Sequence, residues 1–370
     1  MLSSRGTKKA ELPKIPWRYA PPHTYNKESN PAGLISFGMA EHVIFTEDSV
    51  GYGSSSTTPN RLPNAVASHL NNILTPLSPV EPETVIVASG ITAIGSMLSF
   101  TLAEPTDGIL VSRPVYGRFE LDYGVEADVQ IVYADTDPEE AFTPAVVDKY
   151  EAALKRADDE GTKIRAVLIV NPHNPVDSIS SATKYTHPVS LTRETRVLSL
   201  SLRFYLSDFA AGGLHLGFLI TQNTALRQAC KAILRLHNAS TASITIGATI
   251  LEDQDFITQF TQKSRQSLAS TYRIATSILT QEGINYVKGG NAGFFIYINL
   301  SSYLPYPDRP AQEREFALAQ RFLDAGVFLH PGEEHGKEGG WFRLVFAHEE
   351  EVLREGLWRV CEGFTDAEGF

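Results

Sequence analysis

The chain has 370 residues, enough for two domains, and its 42% apolar and 20% charged residues are typical of a globular protein with a large core. Its formal net charge of −11 argues against general binding to nucleic acid or to an anionic membrane. The first residues lack an apolar signal region, and no apolar run is long enough to span a bilayer, so we expect a cytoplasmic protein. Two distant cysteines, Cys230 and Cys361, indicate neither a disulfide framework nor a thiolate metal site.

The first half of the chain alternates between strand and helix patterns. Residues 1–31 have no clear period and are interpreted as an extended arm, and an ordered segment begins near residue 33. Predicted strands lie at 83–90, 107–117, 127–135 and 164–175, and predicted helices at 60–74, 91–103, 118–125 and 144–161. Such alternation indicates an α/β domain whose mainly parallel sheet is sandwiched by helices.

The second half is less regular. The stretch 176–196 is polar, rich in Ser and Thr, and has no convincing period. Beyond it the pattern predicts strands at 214–221, 291–300 and 341–347, and helices at about 222–251, 253–282 and 311–326. We therefore expect a large domain over 45–250, and a smaller α+β domain formed by residues 1–44 together with 251–370.

Three other chemistries are weakly supported. The segment "HPGEEHGKEGG" gathers His330, Glu333, Glu334 and His335, but it is loop-like and lacks the regular spacing of metal ligands on a helix or strand. No Gly-x-Ser-x-Gly elbow stands at a strand–helix turn, which argues against a serine hydrolase. The Gly-x-Gly-x-x-Gly fingerprint of dinucleotide binding is also missing from the sequence.

The stretch "ASGITAI" has the form of an anion site. A strand ends, Gly90 allows the backbone to turn, and a helix begins whose N-terminal N–H groups could hold a phosphate. Alone, such a turn is more often an ordinary connection. Tyr116, however, follows the next predicted strand and Asn174 ends another, and loops at the carboxyl ends of strands converge on one crevice in such folds. Arg343 lies on a predicted strand of the smaller domain.

Taken in order, several stretches resemble one enzyme family. They are "GLISFGMAEH", "GYGSSSTTPNRL", "ASGITAIGSMLSFTLAEPTDGILVSRPVYGRF", "VLIVNPHNP", "DFAAGGLHLGFLI", "NAGFFIYINL" and "HPGEEHGKEGGWFRLVFAHEEE". Together they resemble the class I/II, fold-type I aminotransferases that use pyridoxal 5′-phosphate (PLP). The 1-aminocyclopropane-1-carboxylate synthase-like branch is the most similar, and no single stretch is decisive.

The resemblance implies roles for individual residues. In the cofactor site, Gly90, Ile91 and Thr92 match the turn that cradles the phosphate, Tyr116 the aromatic that stacks on the pyridine ring, and Asn174 the donor to its phenolic oxygen. Tyr52 matches a tyrosine that reaches the phosphate of the neighbouring subunit, which implies a homodimer. For an amino-acid or keto-acid substrate, Arg343 matches the arginine that clamps the α-carboxylate, and Glu41 matches a position lining the pocket.

The stretch "YLSDFAAGGLHLG" departs from the family at two positions. The family reads Ser-Lys-Asp-Phe, then a few small residues, then Gly-Leu-Arg-x-Gly. Here Ser207 stands in place of the lysine and His215 in place of a phosphate-binding arginine. A serine hydroxyl cannot form an imine with the PLP aldehyde. Neither Lys184 nor Lys231 is an evident substitute, so we expect weak, non-covalent PLP binding.

A second departure is the short interval between Asn174 and Ser207. The family places there a helix and a strand ending in Asp-x-x-Tyr, whose Asp protonates the pyridine nitrogen, and this sequence has no such motif. A sheet strand is therefore predicted to be missing. Two hypotheses stay open: a PLP enzyme acting by transamination or by elimination or synthase chemistry, or an inactive relative. The inactive relative would be a degenerate copy, a partner of an active homologue, or the product of a misassigned exon.

Overall fold

The computed structural model describes residues 25, 27–28, 30–36, 61–74, 76, 78–138, 143, 145–176, 201–203, 209–234 and 236–365. In this part of the chain the strands are β1 (Ile35–Ser36), β2 (Val85–Ala88), β3 (Gly108–Arg113), β4 (Gln130–Asp135), β5 (Ile164–Leu168), β6 (Ser201–Arg203), β7 (Gly217–Ile220), β8 (Asn285–Tyr286), β9 (Phe295–Asn299), β10 (Val327–Phe328), β11 (His330–Pro331) and β12 (Trp341–Val345). The helices are α1 (Arg61–Leu74), α2 (Gly90–Leu102), α3 (Phe119–Gly124), α4 (Ala145–Asp159), α5 (Thr224–Leu234), α6 (Thr241–Glu252), α7 (Gln254–Gln281), α8 (Ala311–Asp324) and α9 (Glu350–Thr365).

The strands of the first two thirds form two three-stranded sheets. In one, β3 lies between β4 and β5, and all three run parallel. In the other, β7 lies between β2 and β6 and is antiparallel to both, so β2 and β6 run in the same direction. The expected α/β architecture with a mainly parallel arrangement is confirmed.

Helices cover both faces of the parallel sheet because β3 is apolar on each side. Ile109 and Val111 point into a core cluster with α2, while Leu110 between them packs with Val146 and Tyr150 of α4. Alternate residues of a strand point to opposite faces, so a continuous apolar run is what a strand buried on both faces requires.

The two sheets share no hydrogen-bonded ladder within the described ranges. The edge of β5 that faces away from β3 pairs with no strand there, and most β5 side chains are only half-buried, whereas those of β3 are mostly buried. This division falls between β5 and β6, where the sequence predicts that a strand is missing. The interval 177–200 between them lies outside the described residues.

The last third forms a separate antiparallel sheet in the order β11-β12-β9-β8, packed against α7, α8 and α9. The N-terminal segment contacts this part of the chain, since β1 and β10 form a separate two-stranded parallel sheet. Arg359 of α9 strengthens this contact by donating to the carbonyl oxygens of Pro31 at 3.0 Å and Gly33 at 3.1 Å.

Three sequence expectations need correction. The single helix predicted over 222–251 is wrong: α5 ends at Leu234, and Ser240 starts α6 by accepting a hydrogen bond from the Ser243 N–H at 3.0 Å. Helix α9 was not predicted, although Leu353, Leu357 and Val360 are buried at helical spacing. The short strand β6 was also missed, although apolar and polar residues alternate from Leu198 to Arg203 as in a strand. Asn60, the first residue of the helix predicted over 60–74 and a candidate N-cap for it, lies outside the described residues.

Among the described helices, none combines the length and the apolar character needed to cross a bilayer.

Candidate functional site

The turn at the start of α2 is built by a close approach of two backbones. Gly90 follows β2 with a φ of +90°, and Gly217 begins the neighbouring strand β7. A Cβ atom on Gly217 would lie 2.5 Å from the carbonyl carbon and oxygen of Gly90, a distance that only glycine avoids. The N–H groups of the first turn of α2 have no partners inside their own helix, so they can receive an anion. Ile91 contributes only its backbone here, since its side chain is buried in the core.

Thr92 exposes its side chain at this turn and shares a hydrogen bond with Asp122 of α3. Asp122 is 9% exposed, and burial raises its pKa to about 6, although the Thr92 hydrogen bond and the Arg118 charge oppose that rise. Above that pH the buried Asp122 is negatively charged. Because it lies beside the expected phosphate turn, its charge disfavours the binding of an anion there. Sequence analysis missed Asp122, because the same short helix also carries the exposed Glu120 and nothing local shows which of the two acids is buried.

His215 lies beside the same turn. It adopts a left-handed backbone conformation, with φ +50°, at the end of the 3₁₀ turn Gly212–Leu214. Its Nδ1 atom is 3.3 Å from the position that a Cβ on Gly90 would take, and its side chain is exposed. An imidazole thus occupies the place that the resemblance assigns to a phosphate-binding arginine.

Tyr116 lies in the loop after β3 and is partly buried. Its ring meets Phe119 edge to face at a centroid distance of 5.2 Å. Burial raises the pKa of Tyr116 to about 12, and the nearby Asp122 charge acts in the same direction, so the phenol stays protonated at neutral pH. Tyr116 packs against the core cluster that contains Ile91 and Ile94 of α2, the helix that begins at the phosphate turn.

Asn174 and Arg343 meet directly. The Arg343 Nη1 atom donates to Asn174 Oδ1 at 3.0 Å, which joins the loop after β5 to strand β12. Arg343 is 4% exposed, and its guanidinium lies over the Phe295 ring at 4.6 Å from the centroid. Strand pairing places Arg343 opposite Tyr297 of β9. A buried guanidinium needs such partners, because an unpaired buried charge is costly. Its planar set of N–H donors is also suited to binding a carboxylate ligand.

Neutral histidines line this region. Val115 and His335 exchange two hydrogen bonds: the His335 Nδ1–H donates to the Val115 carbonyl at 3.0 Å, and the Val115 N–H donates to the His335 carbonyl at 3.0 Å. Burial lowers the pKa of His335 well below its usual range and lowers that of His173 to about 4, so both rings are neutral near pH 7. Arg343 thus supplies a permanent positive charge beside two uncharged rings.

The segment 330–340 has structural partners in place of metal-ligand geometry. Glu334 lies 3.4 Å from Arg118, and His335 binds Val115 as above. In the part of the chain that the structure describes, no three His, Cys, Asp or Glu side chains cluster closely enough to hold a metal ion.

Three predicted site residues, Glu41, Tyr52 and Ser207, lie outside the described residues, so their roles stay predictions from the sequence. Lys231 lies exposed on α5, as the sequence suggested.

Known proteins resemble this chain along most of its length. The profile of the aminotransferase class I and II family matches residues 48–201 and 207–360. The 1-aminocyclopropane-1-carboxylate synthase-like protein 1 of Bos taurus is 28% identical over 390 residues, covering 91% of this chain and 77% of that protein. A Mus musculus protein named probable inactive 1-aminocyclopropane-1-carboxylate synthase-like protein 2 is 26% identical and covers 91% and 67%. The bovine alignment is longer than the whole 370-residue chain, so that relative has residues without a counterpart here.

A solved structure shows the same fold. A double mutant of aspartate aminotransferase from Thermus thermophilus superposes with a TM-score of 0.73 at 20% identity, covering 90% of this chain and 92% of that one. At this identity the likeness establishes the fold-type I architecture and no more.

Proposed function

The chain belongs to the class I and II aminotransferase family, in its 1-aminocyclopropane-1-carboxylate synthase-like branch, and we propose that it binds PLP weakly and without a covalent bond. In this proposal Arg343 also holds the carboxylate of an amino or keto acid, while the chain completes little or no turnover. The observation that carries the proposal is the Arg343–Asn174 hydrogen bond at 3.0 Å, because it joins two groups that such a ligand needs.

The described residues fit the non-covalent part of PLP binding. The turn at Gly90 offers backbone donors for a phosphate, and Tyr116 offers an aromatic face nearby. The amide orientation of Asn174 follows from its partner: a guanidinium only donates, so Oδ1 faces Arg343, and the two Nδ2 hydrogens remain for an acceptor such as a phenolic oxygen. When bound, PLP supplies an electron-withdrawing ring that stabilises negative charge on the amino-acid α-carbon.

The sequence lacks the groups for covalent chemistry. Ser207 offers no amine, and no Asp-x-x-Tyr follows Asn174 to hold a proton on the pyridine nitrogen. His215 replaces a permanent cation at the phosphate, and the loss of one charge-assisted contact costs about 1.5–3 kcal/mol. The negative charge of the Asp122 carboxylate beside Thr92 further weakens the binding of a phosphate at this turn. These four features favour weak binding without efficient catalysis.

An active PLP enzyme, working by transamination or by elimination or synthase chemistry, is the second candidate. Family membership over most of the chain favours it. Against it stands the Ser207 substitution, and one mouse relative bears the name of a probable inactive protein, so a non-catalytic chain would not be unique in this branch.

The remaining proposals concern organisation. We infer a homodimer, because Tyr52 matches a residue that serves the neighbouring subunit, and we propose a cytoplasmic location. We also propose a large domain over 45–250, with residues 1–44 and 251–370 forming the smaller domain. The pairing of β1 with β10 supports that assignment of the N-terminal segment.

The test is a PLP titration followed by absorbance, then borohydride reduction and mass spectrometry. We expect saturable binding, no reduced adduct on any lysine, and no measurable exchange between amino and keto acids. A stoichiometric lysine adduct would overturn the non-covalent assignment and identify a surrogate lysine. Absence of any binding would overturn the proposal as a whole.

A further inference from the structure

Glu315 is a buried carboxylate that accepts hydrogen bonds from three backbone N–H groups. It lies on α8 and is 0% exposed. Its Oε1 accepts from the Glu333 N–H at 2.7 Å, and its Oε2 accepts from the N–H groups of Gly339 at 2.9 Å and Gly340 at 2.8 Å. Burial makes this carboxylate costly to ionise and raises the pKa of Glu315 to about 7, while the three backbone hydrogen bonds oppose that rise. Nothing in the proposed chemistry uses this residue directly.

The three donors belong to the two ends of one compact loop, residues 332–340. The loop closes on itself through the Lys337 N–H, which donates to the Gly332 carbonyl at 2.8 Å. A Cβ atom on Gly332 would lie 1.9 Å from the Lys337 carbonyl oxygen, so the two ends have no room to shift towards each other. Glu315 thus fixes both ends of this loop to α8.

On its outer side the loop docks onto the segment that contains Tyr116. His335 exchanges two hydrogen bonds with Val115, and a Cβ atom on Gly117 would lie 1.5 Å from the Glu334 carbonyl oxygen. These contacts do not involve the Glu315 carboxylate. They would therefore hold Tyr116 in place even if that carboxylate were removed.

At its far end the loop becomes strand β12. Gly340 accepts a hydrogen bond from the Leu300 N–H at 2.6 Å, and Trp341 stacks on Tyr297 with ring centroids 4.9 Å apart. Arg343 follows two residues later, opposite Tyr297. Because Glu315 fixes the backbone at Gly339 and Gly340, it sets where β12 begins and so where the guanidinium lies.

We propose that Glu315 is a positioning residue for Arg343: by fixing residues 332–340 to α8, it holds the guanidinium where a substrate carboxylate binds. The carboxylate part of this inference rests on the proposed function. It predicts an effect that general destabilisation would not produce. Removing the Glu315 carboxylate should weaken recognition of a substrate carboxylate while leaving recognition of the cofactor ring and phosphate nearly unchanged.

Two probes separate these effects. N-(5′-phosphopyridoxyl)-L-alanine and N-(5′-phosphopyridoxyl)ethylamine differ only in the carboxylate, and neither needs a lysine to bind. Glu315→Gln keeps the side-chain shape but turns one acceptor oxygen into a donor that faces backbone N–H groups. We expect it to weaken binding of the alanine adduct about tenfold and to change binding of the ethylamine adduct less than about twofold.

The matched control is Glu313→Gln, an exposed position on the same helix, which should leave both affinities and their ratio unchanged. Glu315→Asp keeps the charge but shortens its reach, so it should give a smaller carboxylate-specific loss, and it serves as the test variant if the Gln protein does not fold. Hydrogen exchange at the amides of Glu333, Gly339 and Gly340 should accelerate in Glu315→Gln.

The outcomes distinguish failure of the Glu315 role from failure of the proposed function of Arg343. If the wild-type chain prefers the alanine adduct and Glu315→Gln shows the same preference, the inference is overturned while the proposed function stands. If the wild-type chain binds both adducts equally, the carboxylate role of Arg343 fails. Accelerated exchange in Glu315→Gln would then still support the fixing of the loop, and unchanged exchange would overturn that as well.

Discussion

Arg343 and Asn174 are joined by a 3.0 Å hydrogen bond from Nη1 to Oδ1, although Asn174 lies in the loop after β5, Arg343 lies on β12, and the two are far apart in the sequence. The bond orients both groups, because the guanidinium can only donate and the amide oxygen can only accept. A change in one residue should therefore affect the ligand contact of the other.

Asn174→Ala tests this coupling. The substitution removes the acceptor that orients Arg343 and also removes the donor proposed for the phenolic oxygen. We expect affinity for N-(5′-phosphopyridoxyl)-L-alanine to fall roughly tenfold to a hundredfold, the usual range for a hydrogen bond to a charged group. Asn171→Ala, an exposed position in the same loop, is the control and should bind as the wild type does. Equal affinities for the two variants would contradict the coupling.

Asp122 should make stability depend on pH. Burial raises the pKa of its carboxyl to about 6, whereas the unfolded chain titrates near the ordinary 3.8. Between these values the folded state keeps a proton that the unfolded state has lost, so stability falls as pH rises through this window and stays reduced above it. Asp122→Asn should therefore stabilise the protein by about 1–3 kcal/mol at pH 7.5 and give much less benefit near pH 4.

Urea unfolding at the two pH values measures this difference. Glu120→Gln, an exposed acid on the same helix, is the matched control and should show little change between them. A gain from Asp122→Asn that is the same at both pH values would mean that packing, and not ionisation, is responsible.

Gly217 should tolerate no side chain. A Cβ atom there would lie 2.5 Å from the Gly90 backbone, so either strand β7 or the start of α2 must move. Gly217→Ala is expected to lower the free energy of unfolding by roughly 1–3 kcal/mol, and to weaken phosphate binding. Gly213→Ala has open space around its Cβ position and should stay within about 0.5 kcal/mol of wild type. Thermal unfolding compares the stabilities of both variants with that of the wild type, and equal stabilities would contradict the prediction.

The sequence predicted most strands and the first four helices because their apolar periods are strong, as in β3, where every residue from Gly108 to Ser112 is buried. It missed the break between α5 and α6, where the chain turns after Leu234 and Ser240 then caps the next helix. Neither Asp122 nor Glu315 could be found from the sequence. Their importance depends on burial and on contacts with distant segments, which no local pattern encodes.

His215→Arg should strengthen the phosphate turn. The side chain lies beside Gly90, and the left-handed backbone at this position already accommodates a non-glycine residue. A guanidinium adds a permanent charge and a bidentate donor, so we expect PLP affinity to rise about tenfold or more. Pyridoxal, which lacks the phosphate, should bind the two proteins equally. A similar gain for both ligands would show that the substitution acts on something other than the phosphate.

Ser207→Lys should restore a bond but not efficient turnover. Asp208 to Gly217 keep the spacing of the family motif, so a lysine at 207 is expected to form a borohydride-reducible adduct with PLP. Two deficits stay in that variant: the cation at position 215 and the acidic partner of the pyridine nitrogen. Electrostatic contributions of this kind are each commonly worth about 10²–10³ in rate.

The missing acidic partner is the deficit that substitution cannot repair, because the strand that would position it has no counterpart in the sequence. The described strands agree, since β5 and β6 belong to separate sheets. Exchange between amino and keto acids should therefore stay far below family rates in Ser207→Lys, improve modestly when His215→Arg is added, and rise further only when a homologue's strand is grafted between Asn174 and β6. Family-like turnover from Ser207→Lys alone would show that the shortened interval is not what disables this chain.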